Sequence, residues 1–290
     1  MKRNFAKEMC RELTANLIKH MKAGKLPWSS GVVRSARPMN FVTGSFYTGY
    51  NWLSLAMRED RQTPLWMTFK QANKAGYRVR AGEQGERIVL YAVSYFDPKT
   101  DQRLTEDAYK ALSPAERLLV KRVPFMNYAT VFNVDQLYDA ERLVAEYRTI
   151  PPAPKTDCEQ LVTGWGDAPS IETNVADARG YAAEADTITM PHRWQYDDQS
   201  RYYKALFHEM IHATGHRSRL NRYSVSDYEN NRAFEEMVAE IGAAFLCNIV
   251  GIMNESLFDN TTAYVQHWIR GMEDDEKYIF RAAAMAQKAV

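Results

Sequence analysis

The sequence predicts an α+β chain of two parts: an N-terminal α+β domain over residues 1–148 and a mainly helical domain with a small sheet over 156–290. Three observations carry this. The stretch 149–155 contains Pro151, Pro152 and Pro154, which cannot continue a helix or a sheet ladder, and reads as a linker. Charge divides near the same place: residues 1–145 hold 23 Lys and Arg against 14 Asp and Glu, and residues 146–290 hold 14 against 22. Short strand-like runs with glycine turns precede the linker, and long helical periodicities follow it.

In the first part, Phe5, Met9, Leu13, Leu17 and Met21 recur at helical spacing and stop before Gly24. A second helix is expected over 50–58, a strand at 65–69, a helix over 70–75, and a strand, glycine turn and strand over 79–93. Residues 97–121 read as a polar, partly helical insertion before a third strand at 128–134. Trp52 and Phe69 are expected in the core. After the linker, a strand at 187–191 leads to a helix over 198–214, placed to end at Gly215. Helices over 231–250, 261–272 and 274–288 complete the chain. A length of 290 residues allows each part its own core.

Composition is that of a globular protein, 46% hydrophobic and 25% charged with a net charge of +1. The absence of an apolar run of about 18 residues argues against a membrane span. The charged, amphipathic N-terminus does not read as a signal peptide. Cys10, Cys158 and Cys247 are few, odd in number and far apart. They fit a reducing cytoplasm and argue against a disulfide framework or a cysteine-based zinc site.

His208-Glu209-Met210-Ile211-His212 spells H-E-x-x-H inside an apolar, helix-forming run. Residues four apart share one helix face, so both imidazoles can hold one ion, with Glu209 beside them as general base toward water. This is the zincin arrangement, and it calls for Zn²⁺, with Mn²⁺ or another divalent metal also open. Such a centre needs a third protein ligand. His216 would stand about 12 Å along a continued helix from His208, too far for one ion unless Gly215 turns the chain. The metzincin pattern requires histidine where this chain has Ser218. The remaining candidates are Glu236 and Glu240, spaced i, i+4 in an otherwise apolar run, an expensive place for bare carboxylates. In the gluzincin-type reading Glu236 is the ligand and Glu240 the acid that orients a ligand histidine, with Glu240 as the alternative ligand. Glu235 is expected to face solvent. Tyr181, Tyr203, Tyr223, Tyr228 and His192 are all candidates to polarise a substrate carbonyl.

Residues 1–80 combine 15 Lys and Arg against 4 Asp and Glu with ten aromatic residues. Basic groups attract phosphates, and aromatic faces stack on unpaired bases, so single-stranded nucleic acid is the expected partner. Several runs also resemble one known family. NFVTGSFYTGYNWLSL at 40–55, WMTFKQA at 66–72, VRAGE at 79–83 and VFNVDQ at 131–136 are similar to the N-terminal domain of ArdC-type antirestriction proteins. FHEMIHATGH at 207–216 and EEMVAEIGAA at 235–244 are similar to the zincin-like metallopeptidase domain joined to it. Residues 97–121 have no counterpart in that pattern.

The resemblance implies a protein of conjugative plasmids and other mobile elements. Such a protein binds single-stranded DNA without strong sequence preference and protects incoming DNA from host restriction. Carried over by motif, Tyr47, Tyr50, Asn51, Trp66, Thr68, Lys70 and Gln71 are the expected DNA contacts, with Lys74 and Arg80 added on charge. The further partner would be a protein substrate or a host restriction component. Two other readings compete: a DNA-coating protein whose metal is structural or regulatory, and a sequence-specific DNA-binding regulator controlled by its own peptidase domain.

Overall fold

The structure, a computed structural model, describes residues 2–24, 26, 28, 37–58, 60–61, 63–149, 157–174, 179–224, 232–252 and 262–290. Most of the expected linker and the candidate Tyr228 lie outside these residues.

Helix α1 (Lys2–Lys22) follows the predicted periodicity. Strand β1 (Met39–Asn40) leads to α2 (Gly49–Ala56), and β2 (Leu65–Thr68) to α3 (Phe69–Lys74). Thr68 starts α3 with a capping box, its side chain accepting from the Gln71 N–H while the Gln71 side chain accepts from the Thr68 N–H. Strand β3 (Glu86–Phe96), the short β4 (Arg103–Leu104) and β5 (Lys121–Asn133) complete a five-stranded sheet of order β1-β2-β5-β3-β4. Alternation along β2 sends Leu65 and Met67 into one apolar cluster with Val134 and Leu143, and Trp66 into another with Leu55, Ile88 and Val131.

Two expectations for this part need correcting. Val79 makes only an isolated bridge to Leu137, so residues before the glycine turn form no strand. The strands expected to end at 93 and to begin at 128 run on to 96 and from 121, so the stretch 97–121, polar and partly helical as expected, is the far end of one long antiparallel hairpin. Strands β3 and β5 pair from Glu86↔Val131 to Phe96↔Lys121. Between them lie β4, α4 (Glu106–Ala111) and α5 (Pro114–Leu119). Thr105 caps α4, and Ser113 and Glu116 form a capping box on α5. Local capping thus holds two helices that bury none of their own residues.

Helix α6 (Ala140–Thr149) ends the first part, and α7 (Cys158–Thr163) opens the second. Strands β6 (Ser170–Asn174), β7 (Gly180–Ala182) and β8 (Thr187–Pro191) form a sheet of order β6-β8-β7. The motif helix α8 (Gln199–Ala213) follows, with the Asp198 carboxylate accepting from the Ser200 N–H as its N-cap. Helices α9 (Arg232–Val250), α10 (Thr262–Asp274) and α11 (Tyr278–Ala289) close the chain. Among the described residues no helix is long and apolar enough to cross a membrane.

The largest apolar cluster spans the two parts. Met9, Leu13, Leu17, Trp28, Trp52 and Leu53 share one apolar cluster with Phe207, Ile211, Phe245, Trp268 and Ile279. Trp52 stacks on Phe245 of α9 at 3.9 Å, Tyr50 on Phe280 of α11 at 4.2 Å, and Trp28 meets Trp268 of α10 edge-on at 5.3 Å. The first helices of the basic half are therefore packed into the helical half, while the N-terminal sheet keeps two smaller apolar clusters of its own.

Helices α8 and α9 approach closely at Gly242. A Cβ there would stand 2.8 Å from Ile211 side-chain atoms. Ile211 is β-branched and fully packed, so it has little room to yield. Alanine in place of helical glycine gains roughly 1 kcal/mol of propensity, whereas overpacking a core costs about 1–3 kcal/mol. We therefore expect Gly242→Ala to lower the urea midpoint despite its better helix propensity, and a raised midpoint would contradict the tight crossing.

The loop after α8 is anchored by Arg219. Its guanidinium pairs with Asp186 and also donates to the carbonyls of Ala213 at 2.8 Å and Asp167 at 2.9 Å. The Arg219 partnership holds the Asp186 carboxyl below its ordinary range. A depressed carboxylate contributes stability that is complete above the unfolded value of about 3.9 and is lost as pH falls through the folded value. Wild-type protein should thus lose stability from about pH 5 downward more steeply than Asp186→Asn. Parallel pH profiles for the two proteins would contradict this.

Candidate metal centre

Helix periodicity places His208 and His212 one turn apart on α8, and α9 crosses that face to bring in Glu236. His208 Nε2 stands 3.1 Å from His212 Nε2 and 3.4 Å from Glu236 Oε2. His212 Nε2 lies 3.9 Å from the same oxygen. Bonds of about 2.1 Å in a tetrahedral site set ligand atoms about 3.4 Å apart. The three atoms therefore have the mutual spacing that one small divalent ion requires. Among the described residues they are the group of His, Cys, Asp or Glu side chains with that capacity.

Behind each imidazole stands a carboxylate. Glu240 Oε1 lies 3.1 Å from His208 Nδ1, and Glu235 Oε1 lies 3.5 Å from His212 Nδ1. The alignment falls short of a full hydrogen bond in both cases, although both nitrogens are buried. Each carboxylate has its own cation. Lys204 Nζ is 3.1 Å from Glu240, and Arg222 grips Glu235 through Nη2 at 2.6 Å and Nε at 3.1 Å. Glu235 is only 6% exposed, so the expectation that it faces solvent is corrected: it is as buried as Glu240. Arg232, one turn before Glu236, stands 3.9 Å from it at the exposed edge. Glu209 is also buried, next to His208.

The electrostatics suit a cation. Burial opposes the charged form of His208, yet Glu236 and Glu240 outweigh it and raise the imidazole to about 9. Burial also pushes Glu240 upward, and Lys204 with His208 outweighs that, bringing it to about 2. The same contest lowers Glu235, through His212 and Arg222, and Glu236, through His208 and His212. The three carboxylates face Lys204, Arg222 and the two imidazoles, and their charge favours a cation at the His208 ring, a proton or a metal ion in its place. The donor set, the spacing and the buried, unbonded Nδ1 atoms all fit a divalent metal.

Other candidates are placed elsewhere. His216 turns away at Gly215, its Nδ1 2.7 Å from Ser218 Oγ. Tyr223 donates to the His212 carbonyl, Tyr203 to Glu159 and Tyr181 to Asp186 at 2.7 Å, so each hydroxyl already has a partner within the fold. His192 stacks on Trp194 at 5.8 Å.

The expected DNA contacts divide into two groups. Tyr50 is 8% exposed and Trp66 1%, both within the core, so neither offers a ring face to a base. Asn51 is spent on β3, its Nδ2 donating to the Val89 carbonyl and its Oδ1 accepting from the Val89 N–H, each at 2.7 Å. Core and main-chain roles correct the expectation that these three touch DNA. Thr68 and Gln71 cap α3, and Asn40 Nδ2 links Gln71 to the Tyr47 hydroxyl, both at 3.2 Å. This half-buried polar patch borders α3, where Lys70 and Lys74 are exposed. Arg80 is exposed but paired with Glu83 at 2.7 Å. Phe69, expected in the core, is 52% exposed, and Phe46 is 53% exposed with Arg37 5.0 Å over its ring. Composition alone could not separate these rings from the buried ones; the preceding Thr68 cap, which turns the chain out of the sheet, is the signal for Phe69.

Comparison with known proteins places these features in a family. Residues 7–132 match the N-terminal domain of anti-restriction factor ArdC, and residues 158–285 match a zincin-like metallopeptidase domain. The metal-free crystal structure of the antirestriction ArdC protein from plasmid R388 is 30% identical, with a TM-score of 0.75 over 97% of this chain and 94% of that one. Its Mn(II)-bound structure is 28% identical, with a TM-score of 0.72 over the same shares. A DNA primase TraC of Escherichia coli is 32% identical over 96% of this chain. The chain spans only 26% of the length of that relative and 19% of a second TraC. With both domains matched in order and the R388 protein matched almost end to end, the chain belongs to the ArdC-type family of antirestriction proteins.

Proposed function

We propose that this protein protects incoming DNA from host restriction during conjugation. It holds single-stranded DNA on its N-terminal half and carries a divalent-metal peptidase centre on its C-terminal half. The observation that carries the second element is the spacing of His208 Nε2, His212 Nε2 and Glu236 Oε2, all within 4.8 Å of one another. These residues hold the ion, either Zn²⁺ or Mn²⁺, and Glu240 orients His208. The ion supplies Lewis-acid polarisation of a peptide carbonyl. Glu209 takes a proton from the attacking water and delivers it to the leaving nitrogen as the C–N bond breaks. The target is a protein met on DNA, since the centre and the basic half share one core.

Metal content of purified variants tests the ligand set. Glu236→Ala should emerge without metal, whereas Glu240→Ala should bind it about 10–100-fold more weakly. Equal retention in both would sink the assignment. Glu209→Gln should keep metal, fold and DNA binding while losing about 10²–10⁴ in peptidase rate. Survival of DNA protection in that variant would make the metal structural or regulatory and remove proteolysis from the biological role.

The DNA surface is proposed on Tyr47, Thr68, Lys70, Gln71 and Lys74, with the exposed rings of Phe46 and Phe69. Lys70 and Lys74 supply phosphate attraction, and the rings supply base stacking. Replacing both lysines with alanine should flatten the slope of log affinity against log salt by about 1.4 for an oligo-dT strand. An unchanged slope would move the interface elsewhere. Preference for one duplex site over single strands at matched salt would instead favour a sequence-specific regulator.

A further inference from the structure

We infer that Arg222 and Glu235 are positioning residues for His212, a carboxylate brace supplied by the loop that follows the motif helix. The inference rests on the metal reading above and assigns roles to two residues outside its ligand set.

The geometry around His212 is organised from behind. Its Nδ1 is buried and lacks a hydrogen-bond partner of good alignment, and Glu235 Oε1 stands 3.5 Å away. Glu235 itself has no freedom to wander. Arg222 holds its two oxygens in a fork, Nη2 to Oε1 at 2.6 Å and Nε to Oε2 at 3.1 Å. The same guanidinium donates to the Ile211 carbonyl at 2.7 Å and to Thr214 Oγ1 at 2.6 Å. Tyr223, next in sequence, donates to the His212 carbonyl. One short loop segment thus grips the main chain on both sides of His212 and the carboxylate behind its ring.

An imidazole whose Nδ1 carries the proton toward a fixed carboxylate must present the Nε2 lone pair on its far side. For His212 that side faces His208 Nε2 at 3.1 Å and Glu236 Oε2 at 3.9 Å. The arrangement repeats at the other ligand, where Lys204 holds Glu240 behind His208. The two braces differ in origin. Lys204 precedes His208 by four residues on the same helix, whereas Arg222 reaches back from the loop. A pair serving only to fasten that loop would have no reason to place a carboxylate oxygen opposite the buried Nδ1 of His212.

The test uses the full chain in three variants: Glu235→Gln, the double change Arg222→Met with Glu235→Leu, and Glu236→Ala as the ligand control. The double change removes both charges together and leaves no unpaired buried charge, so it separates loss of folding from loss of positioning. Three quantities are read: melting of the metal-free protein, Zn²⁺ affinity by competition with a chromophoric chelator, and the visible spectrum of the Co²⁺-loaded protein. The expected result is metal-free melting near wild type for the double variant, with Zn²⁺ affinity about 10–100-fold weaker in it and in Glu235→Gln. Shifted Co²⁺ bands should accompany the loss. Wild-type affinity and unaltered bands in both would overturn the brace and leave the pair a loop fastener. Should Glu236→Ala retain metal while both Glu235 variants lose it outright, Glu235 would be a ligand, overturning both the brace and the ligand set above.

Discussion

Two histidines on adjacent turns of one helix bring only two donors, and among the described residues neither α8 nor the loop after it supplies a third. The third must come from another helix, and a carboxylate on a short side chain reaches only if the helix axes lie close. Gly242 sets that approach: it lets α9 lie against Ile211 with no Cβ between them. Ile211 is flanked in sequence by the motif's own residues, so the crossing point and the site are one piece of packing. Glu235, Glu236 and Glu240 all ride on α9, and they meet His212, the ion position and His208 because the crossing fixes the axial register of the two helices. A shift of one helical turn, about 5.4 Å, would separate all three pairs at once.

The same helix is the point at which the N-terminal half is joined. Phe245, fully buried on α9, stacks on Trp52 of α2 at an interplanar angle of 4°. Gln287 of α11 accepts from the N–H of Gly49, the residue that opens α2 at a positive φ of 54°. Asn51 then ties α2 to β3, and β3 carries the sheet. The proposed DNA surface is thus built on a sheet whose supporting helix is cemented into the core that carries the candidate metal site. Burying Trp52 and Tyr50 together removes on the order of 300 Å² or more from water, enough to make this junction structural rather than incidental.

How much was legible in the sequence follows from the range of each signal. The H-E-x-x-H motif and the i, i+4 pair Glu236 and Glu240 depend on helical periodicity, which is local, whereas their meeting depends on the helix crossing at Gly242. The burial of Glu235 is not legible, because periodicity beside a ligand points it off the ligand face. What buries it is Arg222, thirteen residues earlier in the chain and beyond any local pattern. The length of the hairpin is hidden for a related reason. The 97–121 run is polar and capped like helix, and nothing within it reveals that Phe96 and Lys121 are paired strand residues on either side. The aromatic roles depended on tertiary packing altogether. Tyr50 and Trp66 sit in runs that read as family contacts yet serve the core, while Phe69 lies outside it because the Thr68 cap turns the chain away from β2.

Buried ion pairs are a poor means of stabilising a helix crossing, since apolar side chains of the same volume do as well without the desolvation cost. The α8–α9 crossing nevertheless carries two of them, Lys204 with Glu240 and Arg222 with Glu235, in an otherwise apolar core. Each aims a carboxylate oxygen at the outer nitrogen of a different imidazole. An accounting by stability alone leaves this arrangement unexplained. Fixing two ring orientations toward a shared point does explain it, because a ligand that must find its rotamer and tautomer after the ion arrives binds more weakly than one already held. The pairs are therefore best understood as the supports of the site, with Gly242 setting how near they stand and the shared core keeping them in place.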